Sequence, residues 1–115
     1  EIMVSIQVET AEAVDNIEDI VQVEGLDMIF IGPFDLHISL GLTPTLWSDT
    51  PEFVNAVNKV KSACQRANIP LGTLTIANID VARQRQQEGF QFISVGTDIM
   101  HLVGSVTGQI KSLKH

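Results

Sequence analysis

The fold of this chain is decided by residues 28–35, which read Met28-Ile29-Phe30-Ile31-Gly32-Pro33-Phe34-Asp35. The first four residues are an unbroken apolar run, which is typical of a strand buried on both faces of a parallel sheet. Gly32 and Pro33 end the run, and a carboxylate follows. Further strands are predicted at residues 2–8, 71–75 and 90–95. Helical patterns separate these runs, and this alternation predicts parallel strands joined by helices.

The helices are predicted from apolar residues that recur three and four positions apart. Three of them are expected at about residues 11–23, 51–68 and 79–88. Thr10 is a suitable N-cap for the first helix, and Gly25 is a suitable end. A terminal helix is expected to carry Ile99, Leu102, Val106, Ile110 and Leu113.

Four consecutive βα units make half of a TIM (β/α)8 barrel. An open piece of four strands would leave two strand edges unpaired and one sheet face uncovered. A missing N-terminal half or a second copy would complete them, and a small doubly wound α/β fold is the third alternative. The chain starts directly on a strand and without Met. We therefore expect residues 1–115 to be the C-terminal half of a barrel whose N-terminal half is absent.

Composition limits the class of protein and its partners. The chain has 115 residues, of which 44% are hydrophobic and 18% charged, so one folded domain is expected. Its net charge of −7 argues against nucleic acid and anionic membranes as partners. The single cysteine, Cys64, falls on the core stripe of its helix and excludes an internal disulfide, which fits a cytoplasmic protein.

The first predicted strand is polar on one face. Because side chains alternate along a strand, Val8 lies on one face while Gln7 and Glu9 lie on the other. A strand end in a parallel sheet belongs to the edge where ligands bind, and Gln7 is able to orient a water or a substrate carbonyl. The alternative is that Glu9 only complements the dipole of the following helix.

Asp35 follows the second strand as Glu9 follows the first. Both strand ends lie at the same edge of a parallel sheet, and two carboxylates brought together there favour a divalent cation between them. The alternative for Asp35 is an N-cap on a short helical turn. The backbone amides of Gly32, Phe34 and Asp35 are also predicted to form a nest for an anion such as a carboxylate.

Two other side chains have competing interpretations. His37 follows Asp35 by two residues and is a possible third metal ligand, although a solvent-facing histidine on a turn is the favoured interpretation. Trp47 either covers the site, lies at a subunit contact or packs within its loop, and loop packing is favoured.

These motifs together resemble the C-terminal half of the HpcH/HpaI aldolases, metal-dependent class II enzymes of the pyruvate/phosphoenolpyruvate barrel superfamily. The resemblance covers essentially the whole chain and rests on residues 7–10, the acidic helix after them, residues 31–36 and residues 94–98. It implies that Glu9 and Asp35 bind Mg²⁺, Mn²⁺ or Co²⁺, and that Gln7 lies beside the substrate. It also implies that amides near Phe34 and Asp35 hold the pyruvate carboxylate and that Leu74 shapes the aldehyde pocket.

The activity implied by the resemblance is cleavage of 4-hydroxy-2-oxo acids to pyruvate and an aldehyde, and the reverse addition. The family's carboxylate-binding Arg and its base-supporting His and Asp belong to the N-terminal half, so this chain alone is expected to catalyse little. His37 also departs from the family motif, which usually has a small residue there. The alternatives are a catalytically incompetent half-barrel and a related lyase of the citrate-lyase or macrophomate-synthase type. Higher oligomers of the same chain are expected in either case.

Overall fold

A computed structural model of the chain describes residues 2–76 and 78–113. Four strands and six helices follow one another along these residues. The strands are β1 (Ser5–Val8), β2 (Met28–Ile31), β3 (Leu71–Leu74) and β4 (Phe92–Ser94). The helices are α1 (Ala11–Asp15), α2 (Ile17–Ile20), α3 (Pro33–Ser39), α4 (Pro51–Ala67), α5 (Ile79–Gln87) and α6 (Asp98–Leu113). The predicted α/β class is confirmed.

The four strands form one parallel sheet in the order β1-β2-β3-β4. Strand order therefore follows chain order, as in a barrel, whereas a doubly wound sheet reverses its order at a switch point. The doubly wound alternative does not fit the described residues.

Helices α1 to α4 pack on one face of this sheet. Strand residues of that face, such as Val8, Ile29 and Ile31, are fully buried. The helices contribute further members of the same cluster: Val14, Ile17, Leu36, Phe53, Val57 and Val60. The hydrophobic core thus lies between one sheet face and four helices.

The opposite face of the sheet is open. Gln7, Phe30, Gly72 and Phe92 pair in register across the four strands and so lie in one row on this face. Phe30 and Phe92 meet edge to face with ring centroids 6.1 Å apart. They pass over Gly72, where an added Cβ would lie 2.9 Å from the Phe30 ring. The absent side chain at Gly72 therefore makes room for the two aromatic rings.

Several element ends differ from the predicted ones. Strand β1 starts at Ser5 because Met28, the first residue of its neighbour, pairs with Ser5. Residues 2–4 therefore precede the paired region and are exposed. The predicted helix at residues 11–23 is divided at Asn16, whose φ of −91° and ψ of 9° lie outside the helical region. Asparagine commonly competes with helix hydrogen bonding in this way.

The last βα unit is less closely packed than the first three. Strand β4 is limited to Phe92–Ser94, and the buried Phe90 before it contacts Trp47. Every residue of helix α6 is exposed, including the apolar stripe formed by Ile99, Leu102, Val106 and Ile110. This helix adds nothing to the buried core. No helix among the described residues combines the length and the apolar character needed to cross a membrane.

Candidate functional site

Gln7 and Glu9 lie on the open face of the sheet, as the alternation of β1 predicts. Val8 between them is fully buried on the helix-covered face, while Gln7 is exposed and Glu9 is half-buried. Glu9 is the first residue after β1, and Thr10 after it begins α1 as a side-chain N-cap, accepting from the Ala13 amide at 3.1 Å. The polar face of β1 thus ends at the carboxyl edge of the sheet.

Gly32 brings the second strand end against these two side chains. A Cβ placed on Gly32 would lie 2.5 Å from Nε2 of Gln7 and 2.7 Å from Oε2 of Glu9. It would also lie 3.0 Å from Cβ of Glu9, which has little freedom to move. The Gln7 amide and the Glu9 carboxylate therefore occupy the space that any other residue at position 32 would fill.

Helix α3 carries Asp35 in its first turn. Gly32 is the N-cap of this helix and Pro33 its first residue, a position that proline favours because its missing N–H has no partner there in any case. Asp35 is the third residue and its side chain is exposed. The N-cap interpretation of Asp35 is therefore wrong.

A hydrogen bond joins the end of α3 to the start of α1. The Ala11 amide donates to Oγ of Ser39 at 2.9 Å. Ser39 is four residues after Asp35, so both lie on one face of α3. Ser39 on that face contacts the first residue of α1. Sequence reasoning missed Ser39, because its partner Ala11 lies 28 residues earlier in the chain.

Within residues 2–76 and 78–113, the carboxylates of Glu9 and Asp35 make no hydrogen bond and no ion pair. The same residues hold no group of three or more His, Cys, Asp and Glu side chains arranged to bind a metal. Glu9 and Asp35, which follow neighbouring strands, therefore belong to no such group of three among the described residues. Carboxylate oxygens suit hard divalent cations, and water or substrate oxygens complete their coordination.

The predicted anion nest is smaller than expected. The Gly32 amide already donates to the Val8 carbonyl at 3.1 Å, and the Leu36 amide donates to the Gly32 carbonyl. The amides of Phe34 and Asp35, in the first turn of α3, have no backbone acceptor among the described residues. Gly32 contributes space to the site, and these two amides are its available donors.

The solvent-facing interpretation of His37 is wrong. His37 is 1% exposed, and its ring stacks on Phe53 with centroids 4.0 Å apart. Because a carbonyl oxygen only accepts, Nδ1 of His37 donates to the Pro33 carbonyl, at 2.6 Å. Nε2 lies 2.9 Å from Oγ of Ser48. Both ring nitrogens are therefore occupied, so His37 anchors the loop after α3 and is not placed to be a third metal ligand.

Trp47 packs from its loop against α4, α5 and the segment before β4, so the favoured prediction of packing within the loop is wrong. Its ring meets Phe53 and Phe90 edge to face, and the Arg85 guanidinium carbon lies 3.6 Å from its ring centroid. Leu74, the last residue of β3, pairs with Ser94 and is half-buried. It lines a cavity of about 290 Å³ together with Trp47. Leu74 thus lies at the same sheet edge as Glu9, two strands away.

Cys64 is buried on the core face of α4, which confirms the sequence prediction. Burial raises the pKa of its thiol to about 11, since a thiolate would lose its hydration there. Cys64 is therefore a core residue and not a nucleophile.

Comparison with curated proteins identifies relatives of similar sequence. The chain is 35% identical over 95 residues to a hydroxypyruvate/pyruvate aldolase from Rhizorhabdus wittichii, a match that covers 83% of this chain and 38% of that protein. It is 37% identical over 95 residues to a 2-keto-3-deoxy-L-rhamnonate aldolase from Escherichia coli, covering 83% of this chain and 34% of the relative. The chain therefore spans little more than a third of the length of these relatives.

Among solved structures, the chain is similar to an HpcH/HpaI aldolase/citrate lyase family protein from Burkholderia cenocepacia. That match has a TM-score of 0.84 and 29% identity, and it covers 99% of this chain and 43% of the other. The family model described as HpcH/HpaI aldolase/citrate lyase matches residues 1–105. On the sequence match and the shared fold together, this chain belongs to the HpcH/HpaI aldolase/citrate lyase family.

Proposed function

We propose that this chain supplies the metal-binding half of a class II aldolase that cleaves 4-hydroxy-2-oxo acids to pyruvate and an aldehyde. The observation that carries the proposal is the placement of Glu9 and Asp35. They follow neighbouring parallel strands. Ser39, on the helix that carries Asp35, accepts a hydrogen bond from Ala11, the first residue of α1 after Glu9 and Thr10. Neither carboxylate has a protein partner within the described residues, so both are available to a cation.

Glu9 and Asp35 would hold Mg²⁺, Mn²⁺ or Co²⁺, and the chain's donor chemistry fits such ions. A bound divalent cation supplies Lewis-acid polarisation of the 2-oxo group. Gln7, whose amide lies beside Glu9 over Gly32, would donate a hydrogen bond to a substrate oxygen. The free amides of Phe34 and Asp35 would bind the substrate carboxylate, and Leu74 would contact the aldehyde portion.

In the proposed reaction the 4-hydroxyl group loses its proton and becomes the aldehyde carbonyl as the C3–C4 bond breaks. The electron pair of that bond passes to C3 of the pyruvate portion, which then takes up a proton. We assign the base and the arginine that binds the carboxylate to the N-terminal half of the barrel. The first-turn amides of α3 are then a second anchor for the same carboxylate.

The proposal includes two kinds of protein partner. The open sheet face, with Phe92 47% exposed, is the face that an N-terminal half-barrel would cover. Helix α6 exposes a continuous apolar stripe, which supports association with further copies of the same chain. Both contacts would bury surfaces that are apolar and uncovered in the described residues.

The test uses the natural full-length protein with Mn²⁺, pyruvate and short aldehydes. We expect aldol product, its loss on chelation and its return when Mn²⁺ is restored. Glu9→Gln and Asp35→Asn should each lower kcat/KM by more than about 100-fold, since even residues that support metal ligands cost 10–100-fold. Glu12→Gln is the matched control, because Glu12 is an exposed acid in the first turn of α1. Full activity of either site variant would contradict the proposal.

A citrate-lyase type of reaction is the second candidate, because the matching family includes citrate lyases as well as aldolases. It predicts the same loss in the Glu9 and Asp35 variants but carbon–carbon cleavage of a citrate-type substrate in place of pyruvate addition. An intact protein that binds no divalent metal would instead indicate a catalytically incompetent half-barrel.

A further inference from the structure

We propose that Ser39 is a positioning residue, which fixes the separation of Glu9 and Asp35 through its hydrogen bond to the Ala11 amide. The proposal rests on the proposed metal site and deepens it. Its starting point is that Glu9 lies in a two-residue connection between β1 and α1. The position of such a short connection depends on the contacts made at its two ends.

The strand end of this connection is held by the sheet. The Gly32 amide donates to the Val8 carbonyl, and the Glu9 side chain lies against Gly32. These contacts fix Glu9 to the end of β2. They do not fix the helical end of the connection, where α1 begins.

The helical end is held by two hydroxyl groups. The first amides of a helix lack partners within it and need acceptors from elsewhere. Thr10 supplies a local acceptor for Ala13. The acceptor for Ala11 is Ser39, 28 residues further along the chain and at the end of α3. Of these two contacts, only the second connects the Glu9 segment to α3.

Helix α3 carries both Ser39 and Asp35, so the contact at Ser39 also affects the distance between the carboxylates of Asp35 and Glu9. Asp35 and Ser39 are one helical turn apart on the same face, and a helical turn is a rigid spacer of about 5.4 Å. Glu9 is therefore connected to Asp35 through Ala11, the hydrogen bond and Ser39. Few torsion angles along this connection are free to change. Leu36, fully buried, and His37, with both ring nitrogens engaged, stop α3 from rotating about its axis. A loss of the Ser39 hydroxyl would free the helical end of the connection that carries Glu9, while leaving Asp35 in place.

The experiment removes this hydrogen bond from each side in the natural full-length protein and measures Mn²⁺ affinity by titration calorimetry. Ser39→Ala removes the acceptor. Ala11→Pro removes the donor, and the site suits proline: Ala11 is the first residue of α1, and Thr10 before it has φ −126° and ψ 151°. Each variant should weaken Mn²⁺ binding about tenfold, as expected for a residue that supports metal ligands. The double variant should be no weaker than either single variant, because both remove the same bond.

Two controls separate positioning from helix stability. Ser39→Thr keeps a hydroxyl and should restore most of the affinity. Ser62→Ala, at an exposed serine of α4, should leave Mn²⁺ affinity unchanged. Thermal unfolding without metal is recorded for every variant, because a residue that only caps α1 would lower Tm and leave the affinity as it was.

Wild-type affinity in Ser39→Ala and Ala11→Pro, combined with a loss in Asp35→Asn, would overturn the role of Ser39 and leave the proposed metal site standing. Wild-type affinity in Asp35→Asn, or a wild-type protein that binds no Mn²⁺, would overturn the metal site and the role of Ser39 with it. If Ser39→Ala fails to fold, Ala11→Pro gives the same readout without altering α3.

Discussion

The two faces of the sheet differ in what their residues contact. On the helix-covered face, Val8, Ile29 and Ile31 are fully buried against four helices. On the open face, the polar side chains of Gln7 and Glu9 lie against Gly32 at the end of the second strand. Residues that are neighbours in the chain therefore lie in different surroundings, since one face holds the buried core and the other carries the side chains of the proposed site. Substitutions on the two faces should separate stability from ligand binding.

The largest effect is expected on the covered face, at Phe53. Its fully buried ring stacks on His37 and meets Trp47 edge to face. Phe53→Ala should lower the free energy of unfolding by about 3–5 kcal/mol, because a large cavity replaces the ring. Urea unfolding measures the change. Ile38→Ala, at a residue of α3 that is 54% exposed, is the control and should change little.

On the open face, the corresponding substitution is at Phe92, and its effect on the free energy of unfolding is measured in the same way. If an N-terminal half-barrel covers this face in the natural protein, Phe92→Ala should cost about 3 kcal/mol, the lower end for a buried phenylalanine. An uncovered Phe92 would leave the free energy of unfolding within about 0.5 kcal/mol of wild type, as for an ordinary surface residue. The second result would contradict the proposed N-terminal half-barrel, because the open face would then be exposed to solvent in the natural protein.

Gly32→Ala tests the contact between the two strand ends. The new Cβ needs space now held by the Gln7 amide and the Glu9 carboxylate, so both side chains must move. We expect Mn²⁺ affinity to fall by about tenfold, with a smaller effect on unfolding. Gly104→Ala is the matched control, because a Cβ there would meet nothing within 4 Å. Unchanged affinity in Gly32→Ala would show that the close approach has no part in metal binding.

The smallest effect concerns Cys64 and is absent at neutral pH. Burial raises the pKa of its thiol from 9.0 to about 11, so the unfolded chain loses this proton first as the pH rises. The folded state then binds more protons than the unfolded state, and stability should fall between pH 9 and pH 11. Thermal unfolding across this range measures the decline. Cys64→Ala should remove this part of the pH dependence, and an unchanged decline would assign it to other groups.

The parts of the fold that were predictable from sequence are those with local causes. Strand β2 has the predicted bounds, because its apolar run of four residues begins after Asp27 and ends at Gly32-Pro33. Helix α4 ends one residue before the predicted end, where Asn68 takes a left-handed φ of 56°. The placement of Gln7 and Glu9 on one face followed from strand alternation alone.

The predictions that failed concern contacts with residues far away in the sequence. His37 is buried because Ser48 and Phe53, 11 and 16 residues later, return to its ring, and no pattern around His37 indicates that return. The bond from Ala11 to Ser39 spans 28 residues and depends on the sheet register. The roles of Glu9, Asp35, Gln7, Phe34 and Leu74 in binding stay predictions, whereas the family and the parallel α/β fold are confirmed.

The contact at Gly32 has a practical consequence for directed evolution of substrate range. If Gln7 and Glu9 act as proposed, most members of a mutant library that varies residue 32 would bind the metal less tightly, because every side chain larger than hydrogen displaces Gln7 and Glu9 together. Leu74 is not constrained in this way, since it is half-buried beside a cavity of about 290 Å³. Screening effort is therefore better spent at the end of the third strand than at the end of the second.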